Sequence, residues 1–223
     1  MLGLIQLLPP GFRDRHRTKW NRFKLETQAL WGKLKRQIVR PAFPPTARTN
    51  LHLGCGEVNH PEFINVDGLG KKHIHYVRAI DNLAPFGDRS IDLVYASHCL
   101  EHFSHVRVNK VLHEWYRVIK VGGILRLSVP DFELLLDIYR DNNNDLDAIQ
   151  QPLMGGQDYK YNFHYIAFNR SNLTAILKRV GFKTVRSWQP GTSNLTTFDY
   201  WSAKKMDYNG KQYLISLNLE AIK

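Results

Sequence analysis

This sequence has little that would hold it together covalently. Its 223 residues contain two cysteines, Cys55 and Cys99. Two thiols cannot make a disulfide framework, and these two sit inside apolar motifs, so both are expected to be free thiols in a reducing compartment. They make no metal-ligand spacing either, and no metal is expected. No apolar run is long enough to span a bilayer. "MLGLIQLLPPG" is too short and has no cation before it, so no secretory leader is expected and the location reads as cytoplasmic. No internal repeat is visible. Apolar residues make up 43% of the chain, enough for a packed core in a single globular domain.

Acidic residues are scarce at the front. Residues 1–50 hold eleven Lys and Arg against Asp14 and Glu26, a net +9 of the chain's +11. The remainder is nearly neutral, so the basic character belongs to an extension. Over residues 12–40, Trp20, Phe23, Leu30, Trp31, Leu34 and Ile38 recur at helical steps among the cations, which predicts a basic amphipathic helix. "RPAFPP" ends it, because prolines cannot continue a helix. The division is therefore 1–49, a basic helical extension with a proline-rich linker, and 50–223, the domain. Aromatic rings among cations suit an anionic membrane surface, so peripheral membrane contact through residues 12–40 is one expectation and packing on the domain is the other.

From Asn50 onward strand and helix signals alternate. "NLHL", "FINVD", "HIHYVRAI" and "IDLVYAS" read as strands, and "VNKVLHEWYRVIK" as a helix ended by Gly122-Gly123. "ILRLSV" reads as a strand, "DFELLLDIYRD" as a helix capped by Asp131, and "SNLTAILKRVGF" as a helix capped by Ser171 and stopped by Gly181. "KTVRSWQ" and "QYLISLNLEAI" read as two last strands. The order predicts an α/β fold, a mostly parallel sheet with helices on both faces.

Ligands of such sheets bind at the carboxyl ends of the strands. Gly54-Cys55-Gly56 lies there, but a dinucleotide fingerprint is lacking. Its third glycine would fall at Asn59, and "EVNHPE" leaves room for a turn rather than for the helix that faces a pyrophosphate. A ligand with a ribose and no phosphates fits better, and S-adenosylmethionine is such a ligand. Asp67, closing the second strand, can accept from both ribose hydroxyls or can merely cap the turn at Gly68.

"LHLGCGE…INVD", "APFGDRSIDLVYASHCLEHF" and "VIKVGGILRLSVPD" together resemble the class I S-adenosylmethionine-dependent methyltransferases, type 11 branch. The resemblance is strongest to a subgroup with a shortened first crossover that is associated with sugar and polysaccharide biosynthesis. It covers about Asn50 to Lys223. Val121 replaces the usual proline of the "KPGG" turn and Ala84 the usual leucine of "LPF". The resemblance implies a Rossmann-like seven-stranded sheet and a cofactor site at Gly54, Cys55, Gly56, Asp67, Asp81, Asn82, Ser97 and His98. It also implies an acceptor arriving near "SHCLEH".

An alcohol acceptor needs a base. His98 is the leading candidate because imidazole titrates near neutrality, with Asp131 and His164 as alternatives. Glu101 and His102 read as structural. "MGGQDYKYNFHYIAF" suits a lid hinged at Gly155-Gly156, or a plain surface crossover. There is neither an Asn/Asp-Pro-Pro-Tyr element nor a Pro-Cys nucleophile, so nucleic-acid bases are not expected acceptors. The reading is O-methylation of a sugar or glycoconjugate hydroxyl. The alternatives are another small molecule, such as a phenol or amine, and a non-catalytic partner-binding module of the same fold.

Overall fold

A computed structural model describes residues 27, 41–191, 201–208 and 210–223. The predicted helix over 12–40 lies outside the described residues apart from Thr27. Nine strands and four helices are described. The strands are β1 (Asn50–Leu53), β2 (Ile64–Asp67), β3 (Tyr76–Val77), β4 (Ile91–Ser97), β5 (Ile119–Pro130), β6 (Thr184–Ser187), β7 (Lys205–Tyr208), β8 (Lys211–Leu214) and β9 (Ser216–Ile222). The helices are α1 (His105–Val118), α2 (Phe132–Asp141), α3 (Asp147–Met154) and α4 (Arg170–Val180).

Seven strands form one sheet in the order β3-β2-β1-β4-β5-β9-β6. The pairs from β3 through to β5 are parallel, and β9 runs antiparallel between β5 and β6. The order reverses between β1 and β4, which opens a crevice at their carboxyl ends. Alternate residues of β1, β4 and β5 (Leu51, Leu53, Val94, Ala96, Leu125, Leu127) face one side. There they pack on Val111, Leu112 and Trp115 of α1 and Leu173 and Leu177 of α4. On the other side Leu93 and Tyr95 meet Phe63 and Trp188, and no helix residue joins that cluster among the described residues. A third cluster joins Leu135 and Ile138 of α2, Ile149 of α3, and Tyr213 and Ile215.

Several boundaries differ from those read in the sequence. "HIHYVRAI" gives only two strand residues. The His75 ring accepts the Asn65 amide while the His75 amide bonds the Asn65 carbonyl, so a side chain takes up pairing that a longer strand would use. Helix α1 ends at Val118, before the glycines. Gly122 (φ +78°) and Gly123 instead lie inside β5, and a Cβ on Gly123 would meet the Asp92 carbonyl at 3.0 Å. Asn169, not Ser171, caps α4. Its side chain accepts from the Asn172 amide and the Asn172 side chain accepts from its own, a reciprocal pair that Ser171 cannot make. "QYLISLNLEAI" breaks at Ile215 into β8, which pairs with β7, and β9. Asp131 caps α2 and Gly181 (φ +122°) stops α4, both as read.

Candidate active site

The β1–β2 connection, residues 54–63, contains turns and no helix. No helix N-terminus therefore faces the glycine turn, and no pyrophosphate could be held there by one. What the turn does hold is Asp67. Its Oδ2 accepts from the Gly56 amide at 2.9 Å and its Oδ1 from the Leu69 amide at 2.7 Å. The capping role is thus real, and it leaves the second lone pair of each oxygen for a ligand. Burial pushes the Asp67 carboxyl up, and the two backbone donors only partly offset this. Gly54 (φ +64°) is required by space as well as by backbone: a Cβ there would lie 2.3 Å from Cys99 Sγ. Gly56 (φ +58°) has open space where a Cβ would be.

Two cavities meet over this turn. One, of about 580 Å³, is bounded by Asp67, Leu69, Ile80, Asp81, Phe103 and Arg107, among others. The second, of about 350 Å³, is bounded by Ser97, His98, Asn162, His164, Trp201 and Lys204, among others. Gly54, Gly56, His98, His102 and Tyr159 border both. A ribose would meet Asp67 in the first cavity, and an acceptor would reach the shared wall from the second. Tyr159, pushed up to about 12 by burial and by Asp67 nearby, stays a neutral phenol there.

Most of the residues singled out from the sequence lie on this double cavity, but not all. Asp81 borders the first, ion-paired with Arg107. Cys55 and Ser97 border the second cavity rather than the first. Cys55 is a buried thiol pushed well up by burial and by Asp67, so it serves as wall rather than nucleophile. Asn82 borders neither, because its Oδ1 accepts from Arg78 and from the Ala84 amide within its own loop. Asp131 also borders neither. Its carboxylate accepts from the Glu133 amide at 3.2 Å and is used as a helix cap, which makes it a poor candidate for the base. His164 borders the acceptor cavity, with Nδ1 on the Pro152 carbonyl at 3.0 Å.

His98 ends the central strand in the left-handed region (φ +49°), a strained conformation for a side chain of its size. Its Nε2 lies 2.8 Å from Ser216 Oγ, and that hydroxyl donates to the Trp201 carbonyl at 2.9 Å. The serine therefore accepts, and His98 donates to it from Nε2. Nδ1 lies 3.3 Å from Glu101. Glu101 is 1% exposed. Burial alone would raise its pKa, yet His98, with His102 and His164, holds it below the usual range.

The stretch "GGQDYKYNFHY" folds over the cavities. His164 donates its amide to Met154, Gln157 to Asn162 and Tyr165 to Glu101. The Tyr161 ring covers Gly68, where a Cβ would come within 3.1 Å of it. The loop is thus a cover placed over Asp67 as well as over the acceptor cavity. Sequence reasoning missed Trp201, Lys204 and Ser216. The Lys204 ammonium stands 3.8 Å above the Trp201 ring, and nothing in the period of that stretch signals either.

Residues 59–127 match the family model described as a methyltransferase domain. The fold is that of the class I methyltransferases. The helix-free glycine turn and Asp67 fit S-adenosylmethionine, a ligand with a ribose and no phosphates. Over 94 residues the chain is 31% identical to the ubiquinone/menaquinone biosynthesis C-methyltransferase UbiE of Blochmanniella floridana. That match takes in 41% of this chain, and the chain spans about a third (34%) of that relative's length. A S-adenosylmethionine-dependent methyltransferase from Archaeoglobus fulgidus is similar at 19% identity and a TM-score of 0.49, covering 88% of this chain and 94% of that one. The 1,6-didemethyltoxoflavin-N1-methyltransferase of Burkholderia thailandensis, solved with S-adenosylhomocysteine, is similar at 14% identity and a TM-score of 0.48. There the coverage is 94% of this chain and 83% of that one.

Proposed function

We propose that this methyltransferase domain moves a methyl group to a hydroxyl of a sugar or glycoconjugate. The observation that supports this most is the wall of the second cavity. Gln151, Asn162 and Lys204 line it together with Trp201, and the Lys204 ammonium lies over the Trp201 ring. An aromatic ring beside polar groups suits a sugar, whose C–H face stacks and whose hydroxyls need partners, better than an apolar ring with a long tail. Gly54, Gly56 and Asp67 hold the cofactor, which when bound supplies an activated methyl group. His98, on the wall that both cavities share, is the base for the acceptor proton, and Glu101 offsets the charge the ring then carries. A basic extension over 1–49 brings the domain to an anionic surface where lipid-linked sugars are found, inside the cell.

The test is methyl transfer from labelled S-adenosylmethionine to two sets of acceptors, nucleotide- or lipid-linked sugars and demethylated quinones. Label on a sugar oxygen is the expected result. Label on a quinone carbon overturns the sugar reading in favour of the chemistry for which the curated relative is named. His98→Ala should lower turnover about 10²-fold while S-adenosylhomocysteine still binds, as loss of a general base requires. Unchanged turnover would make His98 structural.

A further inference from the structure

Glu101, His102 and His164 come from separate parts of the chain, the turn Leu100–His102 after β4 and the cover loop. Each offers a ligand atom, and these atoms all lie within 4.8 Å of one another. Glu101 is buried, and neither of its carboxylate oxygens meets a hydrogen-bond donor at good geometry. A carboxylate left so is costly in a protein interior.

The surrounding nitrogens are fixed by their other ends. His164 donates Nδ1–H to the Pro152 carbonyl, which leaves Nε2 as a lone pair 4.0 Å from Glu101 Oε1. His98 donates Nε2–H to Ser216, and its Nδ1 lies 3.3 Å from the same oxygen. His102 has a carbonyl at each nitrogen, Phe163 at 3.0 Å and His98 at 3.1 Å. A neutral imidazole donates to only one of them, so its other nitrogen is a lone pair facing oxygen. The Glu101 carboxylate thus lies among three imidazoles with no well-aligned donor on either oxygen, and a cation held there would satisfy it. The anchoring of His164 through its far nitrogen, to a carbonyl, is the arrangement that orients metal-ligating histidines.

We propose that Glu101, His102 and His164 bind a divalent transition-metal ion of the zinc type. Imidazole with one carboxylate is a donor set suited to such an ion, and ligands on one ion about 2.0–2.2 Å away lie roughly 3–3.5 Å apart. Here His164 Nε2 is 4.0 Å from Glu101 Oε1 and all three ligand atoms lie within 4.8 Å of one another, so the side chains must draw together by about an ångström to complete the site. His98, His102 and His164 also border the acceptor cavity, so a fourth position on the ion faces the place where an acceptor oxygen arrives. The site does not depend on whether that acceptor is a sugar.

The test uses the untagged full-length chain, stripped of metal with a chelator and titrated with Co²⁺ and then with competing Zn²⁺. One equivalent should bind, with the intense visible bands of a four- or five-coordinate Co²⁺ ion. His164→Ala and Glu101→Gln should each weaken Zn²⁺ binding by about 100-fold or more, at or above the loss seen when even an outer partner of a ligand is removed. The exposed histidines His105 and His113 serve as controls, and alanine there should leave the affinity unchanged. Weak octahedral Co²⁺ bands, no stoichiometric binding, or an affinity that His164→Ala leaves unmoved overturns the proposal. Should either ligand variant melt early, the Co²⁺ spectrum of the unaltered chain decides alone.

Discussion

Asp67→Ala removes the one carboxylate that reaches both the glycine turn and the first cavity. In the folded chain its oxygens hold the Gly56 and Leu69 amides. On the proposed function they would also accept from the ribose hydroxyls of the cofactor. A hydrogen bond to a charged group is worth about 1.5–3 kcal/mol, and water entering the truncated site restores part of two such bonds. The net loss in binding is about 2–4 kcal/mol, a weakening of about 30- to 700-fold. Asp67→Asn keeps the volume and one acceptor, so it should fall between alanine and the unaltered chain. Titration calorimetry with S-adenosylhomocysteine reads both. The pH dependence has a definite sign. Because burial raises the carboxyl in the folded chain, affinity should weaken as pH falls through a value above the ordinary one of about 4. Ionised Asp67 also costs stability above its folded pKa, and that cost fades on acidification, so this group drives no acid unfolding and the loss of affinity is read on a folded chain. Equal affinity for the alanine variant, or tight NAD binding by the unaltered chain, would refute the reasoning.

Three further outcomes follow from the geometry. Gly54→Ala should destabilise by about 1–2 kcal/mol for its left-handed backbone and a further 1–3 for overpacking on Cys99, whereas Gly56→Ala should cost only the first, as denaturant unfolding would show. Glu220 is buried against Arg126 at 2.5 Å and also bonds Arg186, so Glu220→Ala strands a buried cation and should cost about 3–5 kcal/mol, read as a lower melting temperature. Burial opposes ionisation of Glu220, but the two arginines hold its pKa down overall, so its contribution is present above about 4.3 and is lost as pH falls through the lower folded value. Removing residues 1–49 should leave cofactor binding intact and abolish sedimentation with anionic vesicles at low salt. A full-length chain that stays in solution there, with a truncated chain that no longer folds, would place the extension in the core instead.

Strands β1 and β4 were legible because both are buried runs, and the ladder beside them followed from their order. Asp67 was legible because a short crossover leaves one acid at a strand end. Other features were hidden by local chemistry. Pro152 sits inside α3 and masks it, since proline normally argues against helix. Asn65 and His75 shorten β3 with side-chain bonds that no periodicity reports. Glu101 read as a structural acid because "LEH" is widespread, across different acceptors, in the family the sequence resembles. Only the fold brings His164 from 63 positions later to within 4.0 Å of it.

The cover loop has a consequence for traffic through the enzyme. Tyr159 is a partition common to both chambers, and Tyr161 rests on the turn beside Asp67. The loop is fastened at its C-terminal end by the Tyr165 amide on Glu101 and at its base by the His164 amide on Met154. A ligand in either chamber would therefore touch the same loop, and an opening of its eleven residues at the Tyr165 fastening would uncover both chambers together.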